Sequence, residues 1–161
     1  VSSIFLVSAC LVGFNCKYNG NNNYCEPLVE LFKSGMVVPI CPEQLGGLAT
    51  PREPSKIKGG TGFDVLDGRA QVVTVNTGSN VTENFLRGAR EALMAAELLN
   101  PRACIMKEKS PSCGVERIYR FESDDLISGM GVTSALLFQK GYKIVSSENL
   151  EQIYKYLKEI E

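Results

Sequence analysis

The chain reads as an α/β fold: a single layered domain over residues 1–161, with a mainly parallel sheet flanked by helices and an inserted β-hairpin. Three observations predict it. Short apolar runs alternate with stretches of helical periodicity, the pattern of layered α/β domains. The runs Ile4–Ser8, Met36–Ile40 and Ala103–Met106 are mostly apolar rather than alternating, as strands covered on both faces are. A chain of 161 residues suffices for one domain that buries roughly 70% of its unfolded surface without staples.

Ile4–Ser8 is the first strand and gives way to the turn-rich stretch Gly13–Asn23. Pro27 suits the first turn of a helix through Phe32, closed by Gly35, where a left-handed backbone is least costly. Met36–Ile40 follows as the second strand. Residues Pro42–Gly62 are rich in Gly and Pro and too long for a simple connector, which points to a functional or disordered loop. Val65–Leu66 and Ala70–Val75, about the turn Asp67-Gly68, predict the inserted hairpin, a candidate flap. Thr82 is placed to cap the longest helix, up to Leu99, with Phe85, Leu86, Ala89, Leu93, Ala96 and Leu99 as its buried stripe. Asn100-Pro101 stops that helix; Ala103–Met106 is the third core strand and Ile118–Phe121 a further short one. A helix over Gly131–Lys140, a strand over Lys143–Ser146 and a helix over Leu150–Ile160 complete the alternation.

With 44% apolar and 22% charged residues and a formal net charge of −1, the composition is that of a soluble globular protein without the basic excess of a nucleic-acid binder. No apolar run approaches the ~20 residues needed to cross a bilayer, so no membrane partner is expected. The opening IFLVSACLVG has no basic residue before Lys17, unlike a signal sequence, and a cytoplasmic, reducing location is the expectation. The absence of histidine excludes Ser-His-Asp, Cys-His and His-zinc chemistry. Metal ligands must therefore come from sulfur or oxygen, and proton transfer from carboxylates, Lys, Cys, hydroxyls or water.

Six cysteines raise the question of disulfides, but such scaffolds are short and loop-rich, unlike this strand-helix alternation. Cys10, Cys41 and Cys113 each lie just beyond a predicted strand, and the carboxyl ends of parallel strands gather at one edge, where ligands bind. Cys16 follows Cys10 on a loop that can fold back to the same place. Cys25 stands at the start of the first helix, where the dipole lowers a thiol pKa, and Cys104, near the beginning of its strand, reads as a small buried hydrophobe. There is no C-x-x-C pairing. Spacing alone leaves open a three-thiolate site, a four-cysteine metal site and separate buried thiols.

The segments VSACLVGFNCKYNG, VVPICPEQLGGLATPREPSKI, GTGFDVLDGRAQVVT, KEKSPSCG and GVTSALL, in this order, resemble a bacterial family long filed as a domain of unknown function, whose characterised members are thiouracil desulfurases. The resemblance runs from Val7 to about Val145. It implies a [4Fe-4S] cluster held by Cys10, Cys41 and Cys113, its fourth iron left free to take sulfur from a small thiolated pyrimidine. It also implicates Glu43 of C-P-E and the first serine of S-P-S-C-G, Ser110, in catalysis. Cys16 falls on a family motif too, as a persulfide carrier or a thiol supporting the ligands.

In that reading, water replaces sulfur without net electron transfer, and Glu43, two residues from Cys41, is the general base in a chain lacking imidazole. Ser110 either hydrogen-bonds the water or the pyrimidine carbonyl or caps the turn before Pro111. Gly46-Gly47 would let the backbone approach a ligand. Arg52, Lys56, Lys107 and Lys109 are by default solvated charges, or else favour an anionic substrate or the cluster's negative charge. Two alternatives remain: a non-enzymatic metal-binding or redox-sensing module with Cys16 as fourth ligand, and a nucleotide-binding domain, which lacks its glycine fingerprint.

Overall fold

The structure, a computed structural model, describes residues 2–160. Strand β1 (Phe5–Ser8) is buried throughout and runs into a 3-10 turn, Ala9–Val12, that Gly13 ends at φ 102°. Helix α1 (Glu26–Lys33), with Pro27 in its first turn, leads through Gly35 (φ 82°) into β2 (Val37–Ile40). One helical turn, α2 (Pro42–Leu45), follows directly. Then come β3 (Ser55–Lys58), α3 (Gly62–Leu66), β4 (Gln71–Thr74) and the long α4 (Thr82–Leu99). The remainder is β5 (Ala103–Met106), β6 (Arg117–Tyr119), β7 (Leu126–Ser128), α5 (Val132–Gln139), β8 (Ile144–Ser146) and α6 (Leu150–Glu159). Among the described residues no helix is long and apolar enough to cross a membrane.

The main sheet has the order β2-β1-β5-β8, all parallel, with Phe5 opposite both Val37 and Ala103 and with Cys104 opposite Ile144. Side chains alternate across it with period two. Phe5, Val7, Ala103 and Ile105 pack with Leu28, Leu31, Ile153 and Tyr156 of α1 and α6. Leu6, Cys104 and Met106 pack on the other face with Ala92, Ala96 and Leu137 of α4 and α5. Both faces are covered, which is why these strands lack polar alternation.

The inserted hairpin exists, but its first strand differs from the expectation. Its strands are β3 and β4, antiparallel with Ile57 opposite Val72, whereas Val65 and Leu66 end helix α3 inside the hairpin connection. The Thr61 N–H donates to the Asp64 carboxylate at 2.8 Å in a reciprocal cap, so this T-x-x-D signal starts a helix rather than a strand. Thr82 is the first residue of α4 and not its cap: its hydroxyl accepts from the Val72 N–H at 2.9 Å and so ties the helix to β4. The expected strand at Ile118 ends at Tyr119 and pairs with β7, which the sequence reading lacks.

The buried face of α4 is built from small residues. Phe85, Gly88, Ala89, Ala92 and Ala96 are buried, while Leu86, Leu93 and Leu99 are only half-buried. The narrow face lets α2 lie directly on α4: a Cβ on Gly88 would come within 1.9 Å of the Pro42 carbonyl oxygen, and one on Gly46 within 2.0 Å of the Asn84 carbonyl oxygen. Thus it is a helix backbone, rather than a ligand, that approaches Gly46. Asn84 Nδ2 donates to the Gly46 carbonyl at 2.9 Å and secures the contact.

Gly88→Ala is expected to push α2 from α4 and to destabilise the protein by roughly 1–3 kcal/mol, the usual range for overpacking a close contact. An unchanged chemical denaturation midpoint would show that the contact gives way freely.

Candidate functional site

Cys10 lies in the 3-10 turn leaving β1, and Cys41 is the residue between β2 and α2. Cys113 lies in the loop between β5 and β6. Because β2, β1 and β5 are neighbours and parallel, all three segments leave the sheet at the same edge. There Cys10, Cys41 and Cys113 line one cavity of about 610 Å³ together with Cys16, Glu43 and Ser110. Cys25 and Cys104 do not line it: Cys25 precedes α1 and packs toward the α1–α6 core, and Cys104 is fully buried on the α4–α5 face.

Serine hydroxyls and a helix N-terminus fold the Cys113 loop back to this edge. Ser110 Oγ accepts from the N–H groups of Ser112 and Cys113 at 3.1 and 3.0 Å, which is the turn-capping arrangement. The first-turn N–H groups of α5, which lack intrahelical partners, are used as well: Val132 donates to the Pro111 carbonyl at 2.8 Å and Thr133 to the Ser112 carbonyl at 2.9 Å. Ser134 Oγ donates to the Cys113 carbonyl at 2.8 Å. A Cβ on Gly131 would meet the Ser112 carbonyl carbon at 2.5 Å, so glycine is what lets loop and helix touch.

Beneath the loop lies a residue that sequence reading passed over. Glu108 is 1% exposed, and its Oε1 accepts from the N–H groups of Val115, Glu116 and Arg117 at 2.8, 2.9 and 3.0 Å. Its Oε2 accepts from Ser146 Oγ, which brings β8 into the same network. Burial alone would raise this carboxyl, but the Ser146 and backbone hydrogen bonds prevail and hold it below the ordinary carboxylate range. The turn Val115–Arg117 thereby acquires a partner for each of its N–H groups.

Arg52, by default a solvated charge or else one favouring an anionic substrate or cluster, is instead drawn into the cavity wall. Its side chain is only 9% exposed, and Nε donates to Glu43 Oε1 at 2.9 Å. Nη2 donates to the Cys16 carbonyl at 2.9 Å, the same carbonyl that Cys41 Sγ approaches at 3.8 Å. Lys107 is half-buried on the cavity wall, with Nζ donating to the Glu108 carbonyl at 2.8 Å, and burial lowers its pKa.

The four cavity thiols differ electrostatically. The Cys41 thiol is lowered, chiefly by a hydrogen bond with Cys16 and further by the Gln44 N–H and the Arg52 charge, while burial opposes. Cys16 is pushed up by the same contact and by burial. Burial raises Cys10 and pushes Cys113 up to about 12, with neighbouring thiolates adding to both. Burial likewise raises Cys25, so the lowering expected from its position at a helix start is absent. A set of this kind ionises fully only when a cation compensates.

As donors, the three strand-end thiols are soft, sulfur-only ligands in a protein without histidine. Among the described residues no three Cys, Asp or Glu side chains are gathered for a single metal ion. A thiolate donor set is one that iron-sulfur clusters use, and zinc accepts it as well.

A match to the family described as 2-thiouracil desulfurase runs over residues 5–149. The uncharacterized protein YbbK of Bacillus subtilis strain 168 is 47% identical over 151 residues, covering 93% of this chain and 99% of that protein. Among solved structures, the [4Fe-4S]-dependent thiouracil desulfidase TudS superposes with a TM-score of 0.81 at 36% identity, covering 96% of this chain and 97% of that one. The α/β architecture is shared with that structure.

Glu108→Gln leaves one acceptor oxygen and should cost about 2–4 kcal/mol at pH 7, since buried N–H donors and Ser146 lose a charged partner. Because the folded carboxyl is depressed, the wild-type advantage is complete above the unfolded value of about 4.3 and is lost as pH falls through the lower folded value. Denaturation midpoints of the two proteins should therefore converge below about pH 4. A gap that is constant with pH would show that the carboxylate charge is irrelevant.

Proposed function

The chain belongs to the 2-thiouracil desulfurase family, and from that premise we propose that it is a non-redox desulfidase. It would act on a small thiolated pyrimidine such as 2-thiouracil, with a [4Fe-4S] cluster on Cys10, Cys41 and Cys113, and residues 1–161 would work as one desulfurase-like domain. The observation that carries this reading is the convergence of three thiols from three strand ends, with Glu43 and Ser110, on one cavity. Six free thiols suit a reducing, cytoplasmic location.

When bound, such a cluster supplies an open, thiophilic iron that polarises the C=S bond as a Lewis acid. The remaining work falls to the chain. Glu43 sits in the first turn of α2, two residues beyond Cys41, on the cavity wall. It takes a proton from the attacking water; oxygen bonds to the thiocarbonyl carbon, the C–S bond breaks, and sulfur departs as hydrosulfide. Water and thiocarbonyl thus yield carbonyl and hydrogen sulfide with no electron gained or lost.

Ser110 spends its oxygen lone pairs on the N–H groups of Ser112 and Cys113. No acceptor among the described residues takes its O–H, which leaves that hydrogen to orient the water or a pyrimidine oxygen in the cavity. Turn capping and substrate orientation are thus compatible in one side chain. Cys16, 4% exposed, lines the cavity against Cys41 and supports that ligand. The same proximity motivates a second reading, a four-cysteine metal or redox module without catalysis.

Anaerobic reconstitution should load about four irons and four acid-labile sulfides per chain, and replacing Cys10, Cys41 or Cys113 by Ser should abolish that loading. Zinc without sulfide would favour the four-cysteine module. With loaded protein and 2-thiouracil, hydrosulfide release should fall on the order of 10²- to 10⁴-fold in Glu43→Gln at unchanged iron content; full turnover in that variant would remove Glu43 as the base. Ser110→Ala should lose turnover beyond any loss of thermal stability, whereas a pure stability loss would leave the hydroxyl only its capping role.

A further inference from the structure

Arg52, on the cavity wall, falls within the quoted segment VVPICPEQLGGLATPREPSKI, but the resemblance gives it no role and the proposed chemistry does not use it. It stands in the connection from α2 to β3, and three guanidinium nitrogens bind three different parts of the chain. Nε donates to Glu43 Oε1 at 2.9 Å, Nη1 to Thr50 Oγ1 at 2.8 Å and the Ala49 carbonyl at 3.3 Å, and Nη2 to the Cys16 carbonyl at 2.9 Å. Its own N–H donates to the Tyr18 carbonyl at 2.7 Å, so the Cys16–Tyr18 segment is held twice. Gln44 Nε2 donates to the same Thr50 hydroxyl at 2.7 Å, which closes the connection onto α2.

We propose that Arg52 is a positioning residue that holds the Glu43 carboxylate and the Cys16 carbonyl in fixed relation to Cys41. The proposal rests on Glu43 being the base. Arg52 occupies Glu43 Oε1 through a single N–H, while Oε2 has no hydrogen-bond partner among the described residues and is the oxygen able to receive a proton. A flexible glutamate on a one-turn helix would otherwise sample several rotamers, and misplacing a reacting group by about 1 Å can cost 10²-fold in rate.

The second half concerns Cys41. Its Sγ lies 3.8 Å from the Cys16 carbonyl oxygen, a contact in which only the protonated thiol donates. Once Cys41 is a thiolate ligand, that carbonyl keeps Arg52 as its donor, and the guanidinium holds it in place beside the sulfur. A lysine could not substitute, because one ammonium on a flexible stem cannot serve Glu43, Thr50 and Cys16 in the planar fork that these directions require.

The test uses full-length protein, anaerobically reconstituted, in four forms: wild type, Arg52→Met, Glu43→Gln and the double variant, with Arg52→Lys as a fifth should the methionine variant fail to fold. Iron and sulfide content should stay at wild-type level and KM for 2-thiouracil within about threefold, while kcat falls about 10²-fold in Arg52→Met. The double variant should be no slower than Glu43→Gln, because an arginine acting only through Glu43 has nothing left to position. Multiplicative losses in the double variant, or an unchanged kcat in fully loaded Arg52→Met and Arg52→Lys, would overturn the proposal. A separate arm reads the apoprotein: iodoacetamide labelling of Cys16, mapped by mass spectrometry, should accelerate at least tenfold in Arg52→Met or Arg52→Lys while Cys25 labels as before. If loaded wild type releases no hydrosulfide from thiopyrimidines, the parent reading fails, and with it the positioning of a base. The labelling arm still decides the hold on Cys16, and unaltered labelling there overturns it.

Discussion

Because β1 pairs in parallel with β2 on one side and β5 on the other, three chain segments emerge at one edge of the sheet and must there find partners for backbone groups that no longer have a ladder. Every feature of the cavity follows from how those segments are satisfied. The first turns immediately into a 3-10 helix, the second into the one-turn helix α2, and the third travels through a serine-capped turn onto the N-terminus of α5. Each solution leaves one cysteine facing the common space. The convergence of thiols thus follows from parallel pairing combined with economical chain ends.

One buried and one largely buried charge stabilise what the short elements cannot. Glu108 collects the N–H groups of one turn and the hydroxyl of Ser146, and Arg52 collects carbonyl, hydroxyl and carboxylate oxygens from three segments. A buried charge is costly unless hydrogen-bonded on all sides, and both meet that condition by binding loops instead of a second ion alone. Their contribution is rigidity at the place where the sheet ends, on loops that would otherwise be the most mobile part of an α/β layer. The helix pair α2–α4 supplies the complementary constraint, since the glycines at its contact bring the backbone of the segment carrying Cys41 and Glu43 directly onto α4.

The proposed division of labour is consistent with this architecture. Soft ligands come from rigid strand ends, the carboxylate from a helical turn adjacent to one ligand, and the hydroxyl from the turn that presents another. None of these groups has to move for the cavity to be complete. The two inserted hairpins stand at its rim: Lys56 of β3 donates to the Ser123 carbonyl at 2.7 Å, in the β6–β7 connection, so that the outer wall is tied across the gap as well.

The amino-acid sequence by itself determined the main strands, their double-sided burial and the placement of Cys10, Cys41 and Cys113 just past strand ends, because apolar runs and the direction of parallel strands are local properties that leave a local trace. It likewise excluded imidazole from any mechanism. Strand β3, with Ile57 as its single buried apolar residue, and helix α3, started by a Thr-Asp cap inside a supposed hairpin, left traces too weak for periodicity to detect. Only the tertiary structure decided that Glu108 is buried and that the Arg52 side chain is largely withdrawn from solvent. Their partners lie 36 residues away at Cys16 and 38 away at Ser146, and a charged side chain becomes an internal strut or a solvated surface group according to which distant oxygens and N–H groups the fold brings to it.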